Sequence, residues 1–453
     1  MTKKPGRRRF LKTTMAVASS TAGSTSAHAA AASRLLGDNI YTRIGMRPLI
    51  NGVRTVTVLG GCIMPTEVTR AMEEAGKYFV SIPELQKKAG ARIADLLGVP
   101  AAMVTAGAAS AMTVGAAACV TGGDKEKLRQ LPDTSGMKNE IIQQKSHIDG
   151  YQAQMLQVGT KIVWVETREQ LDAAINERTA MMFFLAKHDP IGRIQSDEWI
   201  RVGKSRGVPT FCDAAANLPP VENLWAYVKQ GFDLVTFSGG KGLLGPQCSG
   251  LLLGRKDLVE AGQQALSPYS GIGRGMKVGK EEIMGLLAAV ERYLKVDHQA
   301  EKRELESRAA EMIESLAKVS GLTVKEYMPE IDNHTPHVQI DWDEKTRKLT
   351  SKDVVQQLLD GDPPIAVQRP GAGRLLISVW MMRPGEHRIV MKRLREFSIK
   401  SKTYLQEGTN AEYEIESYSI CFKRQPQRLI PRLRSCRRQP DACRRAGCRR
   451  RQA

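Results

Sequence analysis

The sequence predicts an α/β protein: a large domain whose mostly parallel sheet is sandwiched by helices, then a smaller α+β domain. Three observations carry this. Apolar runs of strand length recur from about residue 102 to residue 253, helical patterns separate several of them, and a second series of strands and helices follows a long amphipathic stretch. A chain of 453 residues with a 42% apolar and 25% charged composition can bury a sizeable core and is expected to form two domains.

In chain order, residues 1–29 read as an address. Arg7-Arg8-Arg9-Phe10-Leu11-Lys12 resembles the twin-arginine export motif, and an Ala/Ser/Thr-rich stretch follows it to Ala27-His28-Ala29. The expectation is a twin-arginine signal peptide cleaved after Ala29 by a cell whose export machinery delivers the protein to the periplasm; the alternative is a plain basic arm. Residues 30–65 form an N-terminal segment before the large domain. No later stretch reaches the ~18 uninterrupted apolar residues of a membrane span.

The large domain is assigned to residues 66–290. Strands are expected at Ala102–Thr105, Lys161–Val165, Ala180–Leu185, Thr210–Cys212, Leu234–Phe237 and Gly250–Leu253. Helical patterns over Thr167–Ile175 and Ser196–Ser205 separate some of them, which is how parallel strands are connected. From about Met284 to Val319 a stretch rich in Glu, Lys and Ala reads as one linking helix. The small domain, 291–420, then alternates strands at Val324–Glu326, His337–Asp341, Ile365–Gln368 and Leu375–Val379 with helices at Ser351–Leu359 and His387–Phe397.

Residues 421–453 have no periodicity and are dense in Arg, Pro and Cys, so they cannot bury enough apolar surface to offset the entropy of ordering. They read as a basic tail, preferably a non-native reading of the gene end, alternatively an RNA-binding tail. Cys436, Cys443 and Cys448 lack paired metal-ligand spacing, and the other cysteines read as small core residues; no metal site is expected. The net charge of +19 is concentrated at the ends, +6 in residues 1–29 and +11 in residues 421–453, which leaves about +2 for the body. That near-neutral body lacks the electrostatic footprint of a nucleic-acid-binding protein.

The chemistry concentrates around "DLVTFSGGKGLLGPQCSG", where a strand runs into Ser238-Gly239-Gly240-Lys241. A lysine at a strand end has its stem held and its ammonium partly desolvated, which suits an amine that must meet a carbonyl. Gly239, Gly240 and Gly242 are expected to leave room for a planar cofactor. Asp213 ends another strand 28 residues earlier. A carboxylate and an amine from two strand ends are what pyridoxal 5'-phosphate needs, one for the pyridine nitrogen and one for the aldehyde.

Upstream, Gly107-Ala108-Ala109-Ser110 opens an Ala-rich helix whose amides and serine hydroxyl suit a phosphate, with Ser238 a second hydroxyl; small residues that merely permit close packing are the alternative. His147 is expected to stack on one face of the ring and Ala215 to pack on the other. His188-Asp189 is a lesser strand-end candidate.

The stretches "IGMRPLINGVRTVTVLGG", "SIPELQKKAGARIADLLGV", "TAGAASAMTVGAAACVTGGD", "SGGKGLLGPQCSGLLLGRKDLVEA" and "GIGRGMKVGKEEIMGLLAAVERYL" resemble the pyridoxal-phosphate enzymes related to selenocysteine synthase, nearest to the branch containing D-glucosaminate-6-phosphate ammonia lyase. The likeness runs from about Ile40 to Phe397. It implies the fold-type I architecture, aminotransferase class V-like, with Lys241 as Schiff-base lysine, Asp213 at the pyridine nitrogen and a homodimer or higher oligomer with shared sites. Selenocysteine synthase proper is expected to carry Asp before the lysine; Gly240 stands there, which favours the small-molecule branch.

The expected reaction is elimination, as in an ammonia lyase, or amino transfer on a small amino acid or amino sugar acid. Lys241 moves the Cα proton, while Arg369 and Arg383 hold the substrate carboxylate, with plain surface charges as the alternative, and Arg274 reaches a phosphate across a dimer interface. Seryl-tRNA selenium transfer and a non-catalytic exported binding protein are the alternatives.

Overall fold

The computed structural model describes residues 37–330 and 333–399. The proposed signal peptide and basic tail lie outside them. In chain order the strands are β1 (Ile50–Gly52), β2 (Ala102–Thr105), β3 (Glu140–Gln144), β4 (Lys161–Val165), β5 (Thr179–Leu185), β6 (Thr210–Asp213), β7 (Leu234–Ser238), β8 (Gly250–Gly254), β9 (Thr323–Tyr327), β10 (His337–Asp341), β11 (Ile365–Gly371) and β12 (Arg374–Ser378).

Seven strands form one sheet in the order β2-β8-β7-β6-β5-β3-β4. All neighbours from β7 to β4 are parallel, and β8 alone runs antiparallel to the strands on either side of it. The central strands are buried on both faces, as parallel strands covered by helices must be, which is why they read in the sequence as unbroken apolar runs. Phe183, Phe184, Trp199, Phe211 and Phe237 form the centre of this core. A second sheet, β1-β11-β12-β10-β9, has its own core around Ile50, Met312, Val338, Ile340, Leu375 and Ile377. Both sheets belong to one compact unit.

Two features depart from the sequence reading, and one strand is polar where the sheet buries it. β3 reads Glu-Ile-Ile-Gln-Gln and lies inside the sheet. It is buried because the Gln144 amide accepts from Ile194 N and donates to Ile194 O, and Gln143 donates to the His147 carbonyl. The single linking helix is in fact two, Lys280–Tyr293 and His298–Ala317; Asp297 caps the second by accepting from Ala300 N at 2.9 Å. Finally, residues 50–52 of the N-terminal segment are β1, paired in parallel with β11 through Ile50↔Ile365 and Gly52↔Val367.

The helix Ala108–Thr121 is almost wholly buried, so its small residues are demanded by packing from all sides. At Gly115 an added Cβ would fall 2.5 Å from Phe211 Cε1, and that ring is itself wedged edge-on against Phe183 at 5.9 Å. Gly115→Ala therefore sets a helix-propensity gain of about 1 kcal/mol against an overpacking cost of about 1–3 kcal/mol. The expected outcome is a net loss of up to about 2 kcal/mol, read as a lower urea midpoint at unchanged slope.

Candidate active site

A cleft of about 160 Å³ opens at the carboxyl ends of the parallel strands, where ligands bind in open α/β sheets. Lys241 lines it, three residues beyond the end of β7. The turn that presents it folds tightly on itself: Gly239 N donates to Ser249 O, Gly245 N to Gly239 O and Leu244 N to Lys241 O. A Cβ at Gly239 would lie 2.0 Å from Ser249 Oγ, at Gly240 2.6 Å from Gln247 Cα, and at Gly242 2.6 Å from Leu218 Cβ. The loop thus packs closely on its neighbours at all three glycines, and Gly240 also lines the cleft.

Asp213 closes β6 and lines the same cleft, buried, with Oδ1 accepting from Ala215 N at 2.9 Å. Burial, and then the like charge of Asp149, push its pKa up to about 6, against the pull of the Ala215 amide, Lys241 and Lys187. Gly107, Ala108 and Ala109 also line the cleft, at the start of the helix Ala108–Thr121. Gly107 has φ +104°, and no side chain caps that helix. Ser110 Oγ is buried without a hydrogen-bond partner. An uncapped helix start beside an orphaned hydroxyl is a fitting seat for a phosphate. Ser238 and Ala215 line the cleft as well.

The structure places several expected residues elsewhere. His147 is fully buried and absent from the cleft wall: its Nδ1 accepts from Leu185 N at 3.1 Å, and its ring stands edge-on to Phe184 at 4.5 Å. Burial holds it neutral, its pKa lowered to about 3. It therefore supports the wall residue Leu185 from behind. His188 bonds Ser146 O, and Asp189 accepts from Ser196 N and Oγ at the start of the next helix. Arg274, Arg369 and Arg383 are exposed and line no part of the cleft.

Sequence reasoning missed Thr55, Thr57, Asp149, Tyr151, Lys187 and Gln247, which all line it. Lys187 sits one position before the histidine that drew notice, and the tight turn Ala186–Ile191 directs the two differently. Asp149 and Tyr151 flank a glycine in "HIDGYQ", where they read as an ordinary turn. Thr55 and Thr57 arrive because β1 anchors their segment. Asn51 shapes the bend between by accepting from Val53 N and Arg54 N and donating to Arg54 O, which holds Arg54 at φ +126°.

A strand-end lysine, a buried strand-end aspartate and an uncapped phosphate seat, on a mostly parallel sheet with a second sheet beside it, define a fold-type I pyridoxal-phosphate enzyme. Comparison with known proteins agrees. The family model of the L-seryl-tRNA selenium transferases matches residues 154–320. The chain is 31% identical to a 5'-C-glycyluridine monooxygenase-decarboxylase from a Streptomyces species, over 79% of this chain and 91% of that one. It is 30% identical to a D-glucosaminate-6-phosphate ammonia lyase of Salmonella typhimurium, over 80% and 98% respectively. A solved structure of a D-glucosaminate-6-phosphate ammonia lyase superposes with a TM-score of 0.71 at 28% identity, covering 80% of this chain and 99% of that one. The chain belongs to this selenocysteine synthase-like family of pyridoxal-phosphate-dependent lyases and transferases.

Because folding raises the Asp213 pKa, the acid contributes stability below the ordinary carboxylate range that is lost as pH rises through about 6. Its capacity to hold a cationic ring nitrogen has the opposite sign and is present only above about 6. Cofactor affinity should accordingly fall about tenfold per pH unit on the acid side. Asp213→Asn should bind more weakly and lose that dependence. An absorbance titration of cofactor into the protein at several pH values reads both, and a flat wild-type profile contradicts the assignment.

Proposed function

We propose that this chain is an exported enzyme acting on a small amino acid or amino sugar acid, by elimination of ammonia or by amino transfer. The observation that carries the reading is that Lys241 and Asp213 face one small cleft beside a phosphate seat. Bound pyridoxal phosphate supplies an electron sink for bond breaking at the substrate's α carbon. The chain's part is positional. Asp213 keeps a proton at the ring nitrogen, the amides of Ala108 and Ala109 with the Ser110 hydroxyl bind phosphate, and Lys241 holds the aldehyde and then moves a proton at its Nζ.

Among the described residues, the cationic side chains of the cleft are Lys187 and Lys241, so its wall offers no basic track for a nucleic-acid backbone. This favours a small substrate over seryl-tRNA. The lyase relative spans nearly its whole length against this chain, which supports elimination.

A second copy completes the site in this reading. Val58 and Ile63, exposed apolar side chains, flank the lining residues Thr57 and Gly61, and Tyr151 in the cleft wall is 45% exposed. Among the described residues no arginine of the same chain lines the cleft, and Arg274 of a second copy would then serve as the phosphate partner. Among the described residues, no helix is long and apolar enough to cross a membrane.

With a panel of amino acids and phosphorylated amino sugar acids, protein loaded with pyridoxal phosphate, dimeric or larger by light scattering, should release ammonia or a keto acid from at least one. Lys241→Ala should lower that rate about 10²–10⁴-fold. Carbon dioxide release with oxygen uptake and no ammonia would align it with the glycyluridine relative instead. Turnover of charged seryl-tRNA alone would overturn the proposal.

Export rests on the Arg7-Arg8 pair. Replacing both with lysine should leave the precursor in the cytoplasm, and undiminished periplasmic yield of that variant would remove the twin-arginine assignment.

A further inference from the structure

Four neighbouring parallel strands end in alternating charge. Reading across the sheet, Lys241 follows β7, Asp213 ends β6, Lys187 follows β5 and Asp149 follows β3, and all four side chains line one cleft. Register fixes the middle of this row, because Leu185 lies directly beside Asp213 across the β5–β6 pair and Lys187 is two residues further on. The Lys187 side chain is largely buried, and its ammonium is ion-paired with the Asp149 carboxylate at 3.8 Å.

The covalent structure of pyridoxal phosphate then orders the site. Its ring nitrogen lies opposite the aldehyde carbon, and the phosphate arm and the phenolic oxygen leave from the two positions flanking that carbon. Asp213 and Lys241 set the nitrogen-to-aldehyde axis. The phosphate seat follows β2, beyond β8 on the β7 side of that axis. The phenolic oxygen must fall on the other flank, toward β5 and β3, where the titratable groups on offer are Lys187, Asp149 and Tyr151. Only the cation suits an oxygen that carries negative charge.

We propose that Lys187 is a cofactor-binding residue whose ammonium meets the phenolic oxygen, with Asp149 fixing its position. This rests on the reading of the cleft as a pyridoxal-phosphate site. The charged and titratable groups around Lys187 are Asp149 and Tyr151 from the segment after β3, Asp213 from β6, Lys241 after β7, and its neighbour His188, whose Nδ1 is engaged by Ser146 O. Lys187 is the one among them placed to hold the oxygen as phenolate.

The test is the absorption spectrum of protein loaded with pyridoxal phosphate, taken across about pH 6 to about pH 9 for wild type, K187M, K187Q and K187R. The phenolate form absorbs in the visible and the protonated form in the near ultraviolet. K187M and K187Q should lower the visible to near-ultraviolet ratio about tenfold at neutral pH, equivalent to about one pH unit, while K187R keeps the wild-type ratio.

A folded K187M that takes up no cofactor, beside a K187R that takes it up with the wild-type ratio, supports the proposal equally. Wild-type ratios in both neutral variants overturn it. So does a K187R that fails as K187M does. Borohydride reduction and peptide mapping of the wild type separate this from the parent reading. Label on Lys241 upholds that reading, label on Lys187 reverses the roles of the two lysines, and label on neither removes the cofactor site and this proposal with it.

Discussion

A carboxylate buried at the end of a central strand is the constraint around which the rest of this molecule is arranged. Asp213 has lost its water, and a second carboxylate, Asp149, shares its cleft. Desolvation of an unpaired charge in such a place costs several kcal/mol, so the fold surrounds it with donors and cations. The Ala215 amide reaches back to it, and lysines stand on the strand ends to either side. Parallel pairing makes this possible, because it points four successive carboxyl ends the same way. An antiparallel strand in the middle of the sheet would have sent one of those side chains to the opposite edge.

The walls of the cleft depend on contacts far apart in sequence. Asn333, buried, donates from Nδ2 to the carbonyls of Ala216 and Leu218 and accepts from Thr55 Oγ1. One amide thereby ties the wall beside Asp213 to the N-terminal segment and to the chain that leads into β10. Removing it would leave two backbone carbonyls and a threonine hydroxyl to find other partners in a buried site. The cleft is rigid at its floor, where strand ends and an N-capping glycine set the geometry, and side-chain-stapled at its rim.

The central sheet was legible because its strands are buried on both faces and so carry apolar runs that polar helices interrupt. Lys241 and Asp213 were legible for the same reason, as polar residues ending such runs. The burial of the two glutamines that end β3 was not legible, because it depends on partners 50 residues away for Gln144 that no local pattern displays. Lys187 was hidden beside a histidine with a stronger chemical signature, and which of the two enters the cleft depends on the twist of one tight turn. The place of His147 behind the cleft wall was not legible, because a histidine at a strand end looks the same whether it faces the cleft or serves as a hydrogen-bond acceptor for a neighbouring strand. The single long helix was a fair reading of composition, broken in fact by an aspartate cap.

The parallel pairing of β1 with β11 has a consequence for how the protein comes into being. Gln368 on β11 donates to the Val53 carbonyl just past β1, across 315 residues of chain. A ribosome delivers the second strand only when nearly all of the described chain has been made, and closing so long a loop is slow. Until then the segment that carries Thr55 and Thr57 lacks its strand pairing and is held only by side-chain bonds from Asn333 and Gln247. A polypeptide that assembles in this order completes the rim of its cleft only after the C-terminal sheet is in hand.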